Sequence, residues 1–132
     1  MIKRLSVEPI SGYLERYRKA KSFPVSIANG FVFVSGLPPF DPATGGIKPV
    51  AFEVQAERVM TQLKHCLEAA GSSLSNVLKC NVYCTPAPSH FAAFNAIYDR
   101  YFAGENPARI FVQVPSWPGP FDVEIDCVAV VG

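Results

Sequence analysis

Arg109 is the residue whose type and position point most directly to chemistry. It sits in Asn106-Pro107-Ala108-Arg109, where a loop runs into an apolar stretch. An arginine at such a junction presents a rigid two-pronged donor to a carboxylate or phosphate. Glu124 and Asp126 follow in Val123-Glu124-Ile125-Asp126. On a strand both stand on one face, about 7 Å apart, and either is a candidate general acid or base where partly buried. The third candidate is Ser35-Gly36, at the end of an apolar run. Glycine lets a ligand approach the backbone, so an anionic group could be held there by N–H donors. By pattern alone each has a plainer reading: an ion-paired or surface arginine, a solvated acidic face, an ordinary turn. A Gly-x-Ser-x-Gly elbow, a phosphate loop and a Gly-x-Gly-x-x-Gly turn are all absent. Cys66, Cys80, Cys84 and Cys127 form no C-x-x-C pair, and neither His65 nor His90 adds to one. Cys80 and Cys84 on one strand would be about 13 Å apart, too far for a disulfide. The cysteines read as reduced, small core hydrophobes.

These residues need elements to hold them. A first strand is expected near Ile2–Val7, then a polar, basic stretch with Arg16, Arg18, Lys19 and Lys21 that reads as a solvated arm. Tyr13, Leu14 and Tyr17 allow a short helical turn in it. Val25–Ala28 and Phe31–Ser35 joined by Asn29-Gly30 predict a hairpin, since both turn residues tolerate positive φ. A Pro- and Gly-rich loop follows to Gly46. Phe52, Ala56, Val59, Met60, Leu63, Leu67 and Ala70 recur at three and four, a helix ended by Gly71, with His65 on its polar side. Asn76–Cys84 reads as a strand. Ser89 is a plausible N-cap for a helix striped by Phe91, Phe94, Ile97, Tyr98, Tyr101 and Phe102 and ended by Gly104, with His90 exposed at its start. Strands Ala108–Val114 and Phe121–Val131 close the chain around Pro115–Pro120. The order predicts an α+β, two-layer fold: a mixed six-stranded sheet with two helices on one face. Runs such as Phe31-Val32-Phe33-Val34 are apolar on both sides, so the face left bare implies a homo-oligomer.

Length and composition set the outer limits. With 132 residues, 1–132 is read as one domain, residues 1–22 being its N-terminal strand and arm. Hydrophobic residues make up 49% and charged residues 17%, a packed composition. Lys+Arg 12 against Asp+Glu 11 leaves +1, too little for strong sequence-independent nucleic-acid binding. No apolar run approaches the roughly 20 residues of a membrane helix. Lys3 and Arg4 are followed by no apolar stretch of a leader, so the expected compartment is the cytoplasm.

Several segments in order resemble one family. They are Phe33-Val34-Ser35-Gly36 with Asp41-Pro42-Ala43-Thr44-Gly45, Glu53-Val54-Gln55-Ala56 leading to Leu67-Glu68-Ala69-Ala70-Gly71, and Val82-Tyr83 before Phe91-Ala92-Ala93-Phe94-Asn95-Ala96-Ile97-Tyr98. Pro107-Ala108-Arg109 with Val112-Gln113-Val114, and Val123-Glu124-Ile125, complete the pattern. Over about residues 23–130 this is similar to the RidA (YjgF-type) family of imine and enamine deaminases. The resemblance implies a chorismate-mutase-like homotrimer whose sheets line a central barrel, with sites at the subunit interfaces and no metal or organic cofactor. It implies that Arg109 clamps the carboxylate of a 2-imino or 2-enamino acid and that Glu124 activates water, with Arg109, Ser35, Gly36 and Phe111 binding the substrate. It implies a small-molecule partner, not nucleic acid or membrane. Three departures stand out. Val25 replaces a tyrosine found beside the site in many members, Phe111 replaces a cysteine, and the arm before Pro24 is longer, so that Tyr13 or Tyr17 could reach the cleft instead. They open two alternatives: a 2-aminomuconate deaminase of aromatic-compound degradation, or a non-catalytic trimer that binds small carboxylates.

Overall fold

The computed structural model describes all 132 residues. Six strands form one sheet: β1 (Lys3–Leu5), β2 (Val25–Ala28), β3 (Phe31–Leu37), β4 (Val77–Cys84), β5 (Ala108–Gln113) and β6 (Val123–Val130). The order across the sheet is β1-β2-β3-β6-β4-β5. β2 and β3 are the expected hairpin, with Asn29 and Gly30 both at positive φ. β4 and β5 run parallel, and β6 lies antiparallel between β3 and β4. The last strand therefore occupies the middle of the sheet, with Glu124 at its second residue. The sheet is mixed and the class α+β, as read from the pattern.

The helix count differs from expectation. Three α-helices are present: α1 (Ile10–Arg18), α2 (Phe52–Ala69) and α3 (His90–Phe102). The stretch read as a solvated arm begins with α1, which is anchored: Ile10 and Ser11 are fully buried, and the Val7 N–H donates to Ser11 Oγ at 2.8 Å. One buried apolar residue in a basic helix is too faint a stripe for periodicity to detect. α2 ends as expected, with Gly71 at φ +73. Ser89 stands at the N-cap of α3 but makes no capping bond through its side chain. His90 is half-buried rather than exposed. Its ring stacks on Phe52 at 3.9 Å, and Nδ1 donates to the Thr85 carbonyl at 3.2 Å. His65 lies on the polar side of α2, as expected.

Strand alternation divides the sheet into two faces. Val32, Val34, Val82, Ile125 and Cys127 point into the core, packed with Val59, Met60, Leu63 and Leu67 of α2 and Phe94 and Tyr98 of α3. All four cysteines are free and buried. The opposite face carries Phe33, Val128, Asn81, Asp126, Tyr83 and Glu124, and no helix covers it. There Phe31, Phe33 and Ile110 are 41%, 48% and 48% exposed, which is unusual for such large apolar side chains. No helix is long and apolar enough to cross a membrane.

The start of β6 is tied to α2 and to the end of β4. The Asp122 N–H donates to Gln55 Oε1 at 2.7 Å, and Gln55 Nε2 donates to Asp122 Oδ2 at 3.1 Å. Thr85 Oγ1 donates to Asp122 Oδ1 at 2.6 Å. Gln55 is buried and Asp122 half-buried, so Gln55→Leu would remove both bonds to Asp122 at a partly desolvated position. The variant is expected to lose about 1–3 kcal/mol in urea denaturation with an unchanged m-value. An unchanged midpoint would show that this network does not hold the strand.

Candidate active site

Glu124 is set by the sheet. It pairs with Tyr83 across the β4–β6 ladder and so faces away from the helices. Beside it the β3–β6 register shifts between Val34 and Leu37, and the irregular residues are Ser35 and Gly36. A Cβ on Gly36 would lie 2.6 Å from Glu124 Oε1. The glycine is there because the carboxyl group occupies the space of a side chain. The Ser35 N–H donates to the Pro24 carbonyl at 2.9 Å, so it is spent on the backbone, contrary to the expectation that it serves an anion.

Burial pushes the Glu124 carboxyl up to about 7, and the negative charge of Asp126 adds to the effect. No cation offsets either cause. Asp126 shares the face of Glu124 but is engaged elsewhere, accepting from Asn81 Nδ2 at 2.7 Å.

Glu124, Ser35 and Gly36 line a cleft of about 600 Å³ together with Leu14, Arg18, Lys21, Ser22, Phe23 and Pro118. Two departures from the family pattern fall in this region, and neither Val25 nor the arm's tyrosines enter the cleft. Val25 is fully buried in the core and does not line the cleft. Tyr13 and Tyr17 stack on each other at 6.1 Å and face a separate groove with Ile47, Pro118 and Phe121. Leu14 and Arg18, also four residues apart but one step further round α1, are the pair that reaches the cleft. That spacing was visible in the sequence; the choice of helix face was not.

Arg109 is held elsewhere. It pairs with Cys80 in the β4–β5 ladder and so points to the helix side of the sheet. Nη1 donates to Asn95 Oδ1 at 2.8 Å. The guanidinium carbon lies 4.7 Å from the Tyr98 ring centre, 5.4 Å from Phe111 and 6.0 Å from Phe91. Phe111 is itself braced edge-on by Phe91 at 4.9 Å. Three rings and an amide thus fix the arginine while leaving most of its donors unused. Phe111 acts on the arginine by packing beside it. In the sequence Phe91 and Tyr98 stand out only as parts of a helix stripe and Asn95 only as part of the family pattern; the i, i+4 spacing of Phe91 and Asn95, with Tyr98 one turn on from Asn95, is the available sign.

One chain does not bring Arg109 and Glu124 together. Two strand spacings and three residues of rise put their Cα atoms roughly 14 Å apart, with side chains on opposite faces. Glu124, Ser35 and Gly36 share a cleft; Arg109 and Phe111 form a second cluster.

Known proteins carry the same frame. A family model described as endoribonuclease L-PSP matches residues 14–131. The protein DfrA of Myxococcus xanthus is 44% identical over 103 residues, 78% of each chain. The 2-iminobutanoate/2-iminopropanoate deaminase of the goat, Capra hircus, is 35% identical over 101 residues, covering 76% of this chain and 73% of that protein. The crystal structure of E. coli TdcF with bound serine superposes with a TM-score of 0.77 at 30% identity, covering 86% of this chain and 90% of that one. From the middle of helix α1 to the end of the central strand that carries Glu124, the chain belongs to the endoribonuclease L-PSP family, the RidA/YjgF proteins.

Proposed function

We propose that the protein is a deaminase that hydrolyses 2-imino and 2-enamino acids to 2-keto acids and ammonia. The observation that carries this is Glu124: a carboxyl above a glycine in an open cleft, its pKa pushed to about 7, where it takes and returns a proton at neutral pH. The resemblance to the goat deaminase supports the reaction, and serine bound to TdcF supports a small substrate with a carboxylate.

The opposed placement of Arg109 and Glu124 supports a site completed between copies of the chain, with the arginine cluster of one beside the cleft of another. The bare apolar face offers the surface for such an assembly, and a trimer is the form we propose. Arg109 grips the substrate carboxylate with its fork and directs the C=N carbon toward Glu124. An enamine first takes a proton at its β-carbon and becomes the iminium, the protonated form of the imine. Glu124 accepts a proton from water as the water oxygen bonds to the iminium carbon, and the C=N π pair moves onto nitrogen, giving a carbinolamine. Glu124 returns its proton to that nitrogen. The C–N bond then breaks with its electron pair on ammonia, while the hydroxyl proton passes back to Glu124 and its electrons close the C=O bond, leaving a 2-keto acid. The proton left on Glu124 goes to solvent, where ammonia takes it up. An RNA-cleaving role has the family's description behind it, but a net charge of +1 and two acidic groups on the bare face oppose a polyphosphate.

Two outcomes test the reading. Imines are generated in situ by an amino-acid oxidase, with semicarbazide competing for them. Arg109→Ala is expected to lower kcat/KM about a hundredfold with the oligomer intact, and Glu124→Gln to lower kcat by about 10²-fold or more while 2-keto acids still bind. No acceleration by the wild type, with keto acids still bound, would make the protein a carboxylate-binding module.

The second test is pH. The folded state holds the Glu124 proton more tightly than the unfolded chain, in which the carboxyl has its ordinary value of 4.5. Its stabilising contribution is therefore complete below 4.5 and is lost as pH rises through about 7. Turnover needs the ionised form, so kcat/KM is expected to rise with pH across the same window, and Glu124→Gln to flatten that limb. A limb that survives in Glu124→Gln assigns the base to another group.

A further inference from the structure

We propose that the cleft selects substrates with a second, distal carboxylate, held by Arg18 and Lys21 at the end away from Glu124. This rests on the deaminase reading of the same cleft and names its substrate class.

The first observation is size. At about 600 Å³ the cleft lies in the middle of the range that houses ligands of many atoms, far more than the smallest imino acids contain. The second is charge. Arg18 and Lys21 both line it. Arg18 takes part in no ion pair, and Lys21 approaches Glu15 only at 3.9 Å with its side chain 78% exposed. The third is placement. Glu124 enters the cleft from β6 and Ser35 and Gly36 from β3, whereas Arg18 and Lys21 come from the end of α1 and the segment after it. The cleft therefore has an acid–base end and a cationic end, with Leu14 and Phe23 available to a carbon chain.

The cationic end is also held in place. Arg18 closes α1, whose start is buried, and Lys19 turns the chain at φ 57. The Ser22 N–H donates to Glu15 Oε2 at 3.4 Å, and Pro24 is bonded to β3 through Ser35. These bonds fix the backbone on either side of the two cations, while their side chains stay exposed and open to a ligand. A monocarboxylic imine, with its single carboxylate on Arg109, leaves this end idle. A 2-imino diacid uses both.

The test compares imines made in situ from alanine and from glutamate. Wild type is expected to favour the glutamate imine. Arg18→Ala/Lys21→Ala is expected to reduce the diacid-to-monoacid ratio of kcat/KM about tenfold or more, through KM for the diacid, and Arg18→Lys with Lys21 intact to retain most of it. A ratio unmoved by the double variant, or a parallel fall on both imines, overturns the proposal. Calorimetry with 2-oxoglutarate and pyruvate separates this outcome from failure of the deaminase reading. Tighter binding of the diacid by wild type, lost in the double variant, supports the distal site even where no imine is turned over. Equal binding of the two overturns it, as does a double variant that loses affinity for RNA while diacid and monoacid stay undistinguished.

Discussion

The two-residue repeat of the β-strand governs this protein more than any single contact. Cys127 and Glu124 are an odd number of residues apart on β6, so one enters the core and the other leaves it. Arg109 lies in the row of Cys127, through Cys80, and shares its face. No rotamer change moves the arginine to the face of the glutamate, because the main chain of the sheet separates its two faces. A chemistry that needs both must be assembled from more than one chain, or must do without one of them. The exposed phenylalanines of the bare face point to the first course, since apolar area of that kind is unfavourable in water and is removed by association.

The two charged groups are prepared in opposite ways. Arg109 keeps its charge at any accessible pH, so the structure need only orient it. Rings do this well because their faces attract a cation without using its N–H donors, and only Asn95 takes one. Glu124 has a charge that can be adjusted. Burial and Asp126 raise its pKa, while the absence of Cβ on Gly36 lets it sit close against β3. Asp126 contributes charge without competing for the position, since Asn81 holds it. An oriented cation and a tuned acid are what hydration of a C=N bond in a carboxylated substrate requires.

Much of this was legible in the amino acids. The hairpin turn at Asn29-Gly30, the stripes of α2 and α3, the six strands and the apolar bare face follow from local rules whose signals lie within a few residues. Ser35, Gly36 and Glu124 were picked out and do meet. What escaped has a common cause. The face of α1 that meets the cleft, the rings that hold Arg109 and the consumption of the Ser35 N–H by Pro24 all depend on pairings across the sheet, between residues far apart in the chain. His90 was misread for the same reason: its burial comes from Phe52, on another helix. Local pattern states which side chains share a face; it does not state what arrives opposite.

The departures from the usual family pattern gain a physical meaning from this geometry. Val25 is absorbed by the core, and the apolar part of the cleft wall includes Leu14 and Phe23. Phe111 enlarges the aromatic enclosure of Arg109, with Phe91 packed against its edge. Both changes act around the charged groups and leave Arg109, Glu124 and Gly36 in place. The Glu124 side of the cleft is built from the sheet, where a displaced residue disturbs a ladder of hydrogen bonds. The Arg18 and Lys21 side is built from a helix end and a short strap, whose exposed side chains can change at little cost in stability. Under the proposed reading, reaction type and substrate choice are carried by different parts of the fold, and the second can vary while the first stays fixed.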